Sequence, residues 1–267
     1  MLLEILRLLR ERRADERRHF SRAWKEEIAG LDTFEGILAE RLAGLAAEDR
    51  SILAALAAAH EPAGAEALAA ICPEIPGIAA RLESLCKREF IKFEAGEGKY
   101  RLAIPALEPA LLEGVSPAEL RACHARWLRA LPPDPACAPQ RLRHALALED
   151  AGEIARLALP ATETLARAGR AEDALVLAEQ ARAYLRDPAE LSRLLRAKTN
   201  WLTALDRYAE AMASAEEVFR LAAPDEPADL KAVKYGIVSG IACLNLGRRE
   251  EAARRFAQAL EAAGDSA

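Results

Sequence analysis

Few side chains in the 267-residue chain have the types and spacing that catalysis or metal binding requires. Its histidines are His19, His60, His124 and His144, and none has a second histidine or a cysteine at the spacing that puts two metal ligands on one helix face. His124 does adjoin Cys123, but adjacent residues of a helix point in different directions. The sequence therefore predicts no metal site.

The cysteines form neither a disulfide framework nor a zinc motif. Their number is odd, and no Cys-x-x-Cys pair occurs among them: Cys72, Cys86, Cys123, Cys137 and Cys243. Free cysteine is among the most buried residue types. We therefore expect reduced, buried thiols.

Motifs that bind nucleotides or activate a nucleophile are absent. No Gly-x-x-x-x-Gly-Lys-Ser/Thr loop is present to cradle phosphates, and no Gly-x-Ser-x-Gly elbow presents a serine. The stretch Gly96-Glu97-Gly98 is too short for a dinucleotide fingerprint. We expect a protein that is not an enzyme and that uses no cofactor.

Charge and hydropathy argue against a membrane partner. The formal net charge is −5 and the pI is about 5.6, so no global positive field attracts nucleic acid or anionic lipid. Glu4 and Arg7 interrupt the leucine-rich start, which predicts amphipathic linker helices over residues 1–47 and no signal peptide. Asp32 and Glu35 fit a capping box within this segment. We expect a cytoplasmic protein.

Residues 48–112 contain the pattern of a winged helix-turn-helix. Three short amphipathic segments begin near Glu48, Leu68 and Ile78, and prolines or glycine separate them. The period then changes to that of strands over residues 90–93 and 100–104, which flank a glycine-containing turn. Three helices and a β-hairpin wing in this order predict a winged helix.

The charge balance of this unit argues against nucleic acid as its partner, although a winged helix can bind DNA. The basic residues that would reach DNA are Arg81, Lys87, Arg88 and Lys92. Residues 48–105, however, contain seven basic and nine acidic residues. DNA-binding proteins obtain most of their affinity from basic residues that neutralise phosphates, so this balance argues against DNA. We keep a DNA-binding transcription regulator as the alternative to a wing that contacts protein.

The rest of the chain is predicted to be helical. Ser116, Pro117 and Glu119 form a strong helix start within residues 113–139, a connecting helix that ends in a proline-rich loop. Residues 140–267 contain three similar turns at Gly169, Asp206 and Gly247, which are 37 and 41 residues apart. Tetratricopeptide units repeat at about 34 residues, so we expect a slightly long version of that α-solenoid. Overall the fold class is mostly α.

The order of these parts resembles the regulatory ATPases of the STAND class, and in particular the bacterial maltose-regulon activator type. The stretch from Asp32 to Leu45 resembles the helix that follows their nucleotide-binding core. Leu85-Cys86-Lys87-Arg88-Glu89-Phe90-Ile91 and Tyr100-Arg101-Leu102 resemble the third helix and wing of their winged-helix domain, and Ser116 to Leu128 resembles the next helix. The ATPase core itself has no counterpart in this sequence.

The resemblance implies a sensor or protein-interaction arm in bacterial signal transduction and transcription regulation. The repeats would bind a protein or a small-molecule inducer, and the winged helix would contact an ATPase core, in cis or in trans. Candidate contact residues are exposed positions on the first helices of the repeats: Lys198, Asn200, Trp201, Lys234 and Asn245. A passive tetratricopeptide scaffold that does not switch is a further alternative.

Overall fold

The computed structural model describes residues 41–221 and 228–264; the side chains of Phe219, 228–235 and 262–264 lie outside that description. The predictions for residues 1–40, including the Asp32 capping box, fall outside the described residues. Contact density divides the chain into two compact units between Leu120 and Arg121. The division into four segments that we expect from the sequence stays a prediction.

The first unit combines short helices with a small antiparallel sheet. Its elements are α1 (Ala47–Ala59), β1 (Ala63–Gly64), α2 (Ala65–Ile71), α3 (Ile78–Lys87), β2 (Ile91–Glu94), β3 (Lys99–Leu102), a 3-10 turn (Pro105–Leu107) and α4 (Glu108–Glu113). The expected hairpin is present, with Ile91 opposite Leu102 and Phe93 opposite Tyr100. The sheet has three strands and not two, because the segment at Gly64 pairs with the outer edge of β3.

Apolar side chains at helical spacing explain how the first unit closes. Ile52, Leu53, Leu68, Leu82 and Leu85 are fully buried, as the amphipathic pattern predicts. Cys86, which the same pattern placed on the buried face of α3, is only half-buried. Each fully buried leucine or isoleucine contributes roughly 1.5–3 kcal/mol relative to an exposed one, so these residues hold the three helices against the sheet.

The second unit consists of helices only in its described part. After α5 (Pro117–Ala130) and a 3-10 turn (Pro135–Cys137), it contains α6 (Ala138–Leu148), α7 (Ala151–Arg167), α8 (Ala171–Arg182), α9 (Pro188–Ala204), α10 (Tyr208–Leu221), α11 (Ala228–Asn245) and α12 (Arg249–Gly264). The predicted start of α5 is confirmed, because Glu119 accepts from the Ser116 amide at 3.0 Å and the Glu119 amide donates to Ser116 Oγ at 3.3 Å. Every helix of the described residues is too short or too polar to span a bilayer.

Three helix pairs follow one another from Ala151 onwards: α7 with α8, α9 with α10, and α11 with α12. Their turn residues Gly169, Asp206 and Gly247 have φ angles of 77°, 60° and 75°, so all three occupy the left-handed region that ends a helix. Small residues bring the helices of a pair close together. A Cβ on Gly240 would lie only 2.6 Å from the Phe256 ring, and a Cβ on Gly236 would lie 2.7 Å from Cβ of Ala259.

Candidate protein-binding surface

The first helices of the three pairs can be compared at corresponding positions. We compare the residues ten, six and three places before each turn residue, which share one helix face. They are Leu159, Glu163 and Ala166 in α7, Arg196, Asn200 and Thr203 in α9, and Ile237, Ile241 and Leu244 in α11. All nine keep some solvent exposure, but Leu159 and Ala166 pack against the core of this unit. Asn200 of α9 and all three residues of α11 are exposed, so the accessible part of this face lies on α9 and α11.

In α11 these three positions form an apolar stripe. Ile237, Ile241 and Leu244 are 44%, 39% and 52% exposed. Seven large hydrophobic residues are exposed in the described part of the chain, and five of them lie in α11, in α12 or in the turn between them. The other two of these five are Leu246 and Leu260. Exposed hydrophobic residues that gather in one region are typical of an interaction site. We call Ile237, Ile241 and Leu244 the α11 stripe.

The sequence did not single out the α11 stripe, although its spacing was visible. Apolar residues four and three apart in a helix usually mark the face that packs into the core. In α11, however, the core face is occupied by smaller residues: Gly236, Ser239 and Cys243 are buried, and Gly240 lies against the Phe256 ring. Gly236 and Gly240 were the signal in the sequence that α11 packs through its glycine face, which leaves Ile237 and Ile241 exposed.

A cleft of about 300 Å³ lies between α7 and α9. Its apolar lining includes Leu159, Leu185 and Leu194, and its charged lining consists of Arg156, Glu190 and Arg193. Arg156 is held by Glu153 at 2.6 Å, whereas Arg193 forms no ion pair with any described residue. The cleft therefore offers a ligand both an aliphatic surface and the guanidinium of Arg193.

The residues proposed from the sequence are placed differently by the structure. Asn200 and Asn245 are exposed, Asn200 at the middle position of the α9 face and Asn245 beside Leu244. Lys198 donates to Glu179 of α8 at 2.5 Å, so it links two helix pairs. Trp201 is half-buried and packs against two core clusters of the described residues. The side chain of Lys234 lies outside the described residues.

The four basic residues of the DNA-binding alternative are mostly paired within their own unit. Arg81 donates to the buried Asp49 carboxylate at 2.8 Å, and Arg88 lies 3.6 Å from the same carboxylate and 5.4 Å from the Phe90 ring centroid. Lys87 pairs with Glu83 at 2.7 Å. Lys92 is exposed and forms no ion pair with a described residue. Most of this positive charge is thus neutralised in place.

The thiols and the metal-ligating side chains offer little chemistry in the described residues. All five cysteines are free, but only Cys72 and Cys243 are buried and the other three are half-buried. Burial, together with the Glu83 carboxylate, raises the pKa of the Cys86 thiol, which makes it a poorer nucleophile at neutral pH. Across residues 41–221 and 228–264, no three His, Cys, Asp or Glu side chains are grouped so that they could hold a metal ion.

One pair of histidines comes together that the sequence did not predict. His124 of α5 and His144 of α6 are buried, and their Nδ1 atoms lie 2.9 Å apart. The two residues are 20 positions apart on different helices, and no local pattern indicates such a contact. The two histidine rings are buried beside Trp127, and the His144 ring stacks on the Trp127 ring. The histidine pair is therefore part of the helix packing and not of an open site.

Comparison with known proteins gives a sparse result. No protein-family model matches the chain, and no curated protein matches its sequence. One solved structure that it resembles is the signal transduction ATPase with numerous domains (STAND) protein with a tetratricopeptide repeat sensor from Pyrococcus horikoshii. The identity is 16% and the TM-score 0.40, over 88% of this chain and 47% of that one. This chain thus spans about half the length of that protein. Similarity at this level assigns neither a fold family nor a function.

Proposed function

We propose that the chain is a non-catalytic sensor or protein-interaction arm of a STAND-type signal-transduction ATPase. The observation that carries the proposal is the α11 stripe, three aliphatic side chains left in solvent at the positions where α9 presents Arg196, Asn200 and Thr203. Leaving such a stripe exposed lowers solubility, and contact with a partner explains its presence. Binding would occur on the first helices of the TPR-like repeats.

The first unit is proposed to act as a winged helix that contacts an ATPase core in cis or in trans. Three helices precede β2 and β3, and the sheet order β1-β3-β2 is what a hairpin wing with a short third strand produces. In this mechanism the partner on the repeats favours one docking arrangement of the winged helix over another, so the signal is a shift of population. The output is proposed to be a change in the ATPase or in transcription.

Site-specific cross-linking tests the interaction surface. A photoreactive residue is placed at Asn200 or at Ile241, and the chain is expressed in its source cells. We expect both positions to capture the same protein, as identified by mass spectrometry. The matched control is the same residue at Val176, which is 59% exposed on α8, the second helix of its pair. Equal capture from Val176, or different proteins from Asn200 and Ile241, would contradict the proposal.

Hydrogen exchange separates a switching arm from a passive scaffold. With the captured partner bound to the repeats, an arm that signals changes amide protection in residues 78–102, which contain α3 and the hairpin. A passive scaffold predicts unchanged protection there.

A gel shift addresses the DNA-binding alternative. Because phosphate contacts dominate non-specific affinity at low salt, a DNA-binding protein shifts duplex DNA there even without its specific sequence. We expect no shift, since Arg81, Lys87 and Arg88 are held by carboxylates of the same unit. A shift that is lost in Lys92→Ala would favour the alternative.

A further inference from the structure

The α11 stripe has the geometry of a helix-binding seam. Ile237, Ile241 and Leu244 are spaced four and three residues apart, the spacing at which two helices interlock side chains along a common line. An extended peptide presents side chains on one face every second residue and does not match this spacing. The seam is therefore suited to a partner helix with its own aliphatic residues four and three apart.

A basic turn follows the carboxyl end of this seam. Residues 248–255 contain four arginines and two glutamates. The Arg248 side chain is 56% exposed and lies 3.7 Å from the Glu251 carboxylate. A surface ion pair of this length contributes little to stability. Arg249 is exposed and forms no ion pair with a described residue. These two guanidinium groups are available to carboxylates that arrive with a partner.

The position of the arginines sets the direction in which the partner lies. Arg248 and Arg249 follow the carboxyl end of α11, where α12 begins. Acidic residues are stabilising in the first turn of a helix, so a partner helix carries them most favourably at its amino end. An antiparallel partner with Asp or Glu in its first turn would then place these carboxylates beside Arg248 and Arg249.

We propose that the α11 stripe and the Arg248–Arg249 turn together bind one amphipathic helix of a partner protein, antiparallel to α11, with acidic residues in its first turn. The inference rests on the proposed interaction function and specifies the class of partner. Its two parts make separate contributions. The aliphatic seam provides most of the affinity through burial, and the arginines select the sign of charge on the partner.

Synthetic helical peptides test this proposal with the full chain. Three labelled peptides of about 18 residues, or about five helical turns, share leucines at the four-and-three spacing. They differ only in their first turn, which is acidic, neutral or basic. Fluorescence anisotropy at low salt measures their affinities. We expect the acidic peptide to bind about tenfold or more tightly than the basic one, and the difference to shrink at high salt.

Two variants assign the contributions. Ile241→Asp places a charge in the seam and is expected to weaken the acidic peptide about tenfold or more. Arg248→Ala/Arg249→Ala is expected to bring the three peptides to similar affinities while leucine-dependent binding remains. Val176→Asp, also at an exposed apolar position, is the control that leaves binding unchanged. Circular dichroism confirms that each variant is folded.

Several results would overturn the proposal. One is equal affinity for the acidic and basic peptides, and another is binding that Ile241→Asp leaves intact. Light scattering provides a third: a dimer of this chain that Ile241→Asp dissociates and that the acidic peptide does not compete would make a second copy the occupant. If the peptides fail while cross-linking at Asn200 and Ile241 captures one protein, the interaction function stands and the helix chemistry is wrong.

Discussion

Nδ1 of His124 lies 2.9 Å from Nδ1 of His144, and both rings are buried between α5 and α6. A hydrogen bond between these atoms requires that one ring carries its proton on Nδ1 while the other accepts there through a lone pair. The accepting histidine is therefore the neutral tautomer that carries its proton on Nε2. The His144 ring is also nearly parallel to the Trp127 ring, with 5.9 Å between their centroids. This contact ties α6 to α5.

Replacing one histidine of the pair is predicted to cost more than replacing both. In His144→Leu the Nδ1 atom of His124 loses this partner inside the protein, and a buried polar group that loses its partner costs about 1–3 kcal/mol. The double variant His124→Leu/His144→Leu removes both polar groups and should recover part of that loss. Urea unfolding of the two single variants and the double variant provides the measurement. Strictly additive losses would show that the rings do not interact.

The histidine contact shows what a sequence alone does not reveal. Turn residues and helix starts depend on local chemistry, so Gly169, Asp206, Gly247 and the Ser116 cap were predictable. The contact of His124 with His144 depends on how α5 and α6 pack, and packing is a property of the whole unit. Long-range contacts of this kind leave no periodic trace.

The sheet and the surface stripe show a different limit. The strand at Gly64 is only two residues long, too short for an alternating pattern, so the sequence predicted only the two longer strands. The α11 stripe had a clear period, but the period alone does not say which of two faces of a helix is buried. Gly236 and Gly240 decide it, because only a residue without a side chain allows α12 to approach so closely.

Acid is predicted to weaken the ion pairs that Glu153 of α7 forms with Arg156 of the same helix and with Arg141 of α6. The hydrogen bond from Arg156 has the largest effect and lowers the pKa of the Glu153 carboxyl. Burial opposes this effect, and the hydrogen bond from Arg141 adds to the lowering. Its ordinary pKa is about 4.3. A carboxyl whose pKa is lower in the folded than in the unfolded chain stabilises the fold above that ordinary value, and the effect is lost as the pH falls through the folded pKa.

Glu153→Gln tests this dependence. The variant should be less stable than the parent chain at pH 7, and the difference should shrink as the pH is lowered from about 5 to 3, since glutamine does not titrate. Thermal unfolding at a series of pH values measures it. Glu250→Gln, at an exposed carboxylate that has no ion pair with a described residue, is the control with little change. A constant difference between parent and Glu153→Gln across that range would disprove the linkage.

Asp49 is predicted to be the most important carboxylate of the first unit. It is buried and lies 2.8 Å from Arg81 and 3.6 Å from Arg88. Asp49→Ala removes the shared acceptor and should destabilise the chain by about 1.5–3 kcal/mol, the range for hydrogen bonds to charged groups. Glu48→Ala is the matched control, because Glu48 is half-exposed and 3.7 Å from Arg81, and it should change stability by less than about 1 kcal/mol. Chemical denaturation followed by circular dichroism compares the two variants.

Gly236→Ala is predicted to destabilise the chain, because α11 and α12 approach each other closely at this residue. An added Cβ would lie 2.7 Å from Cβ of Ala259 and 2.8 Å from the backbone oxygen of Arg255, and backbone cannot move aside cheaply. Overpacking of this kind costs about 1–3 kcal/mol, even though alanine is otherwise the better helix former. In Gly152→Ala of α7 the nearest atom is the Asp150 side chain at 3.6 Å, so that variant should be neutral or more stable by up to about 1 kcal/mol. Opposite signs for the two substitutions in thermal unfolding would confirm the close approach, and a stabilised Gly236→Ala would show that the two helices are farther apart.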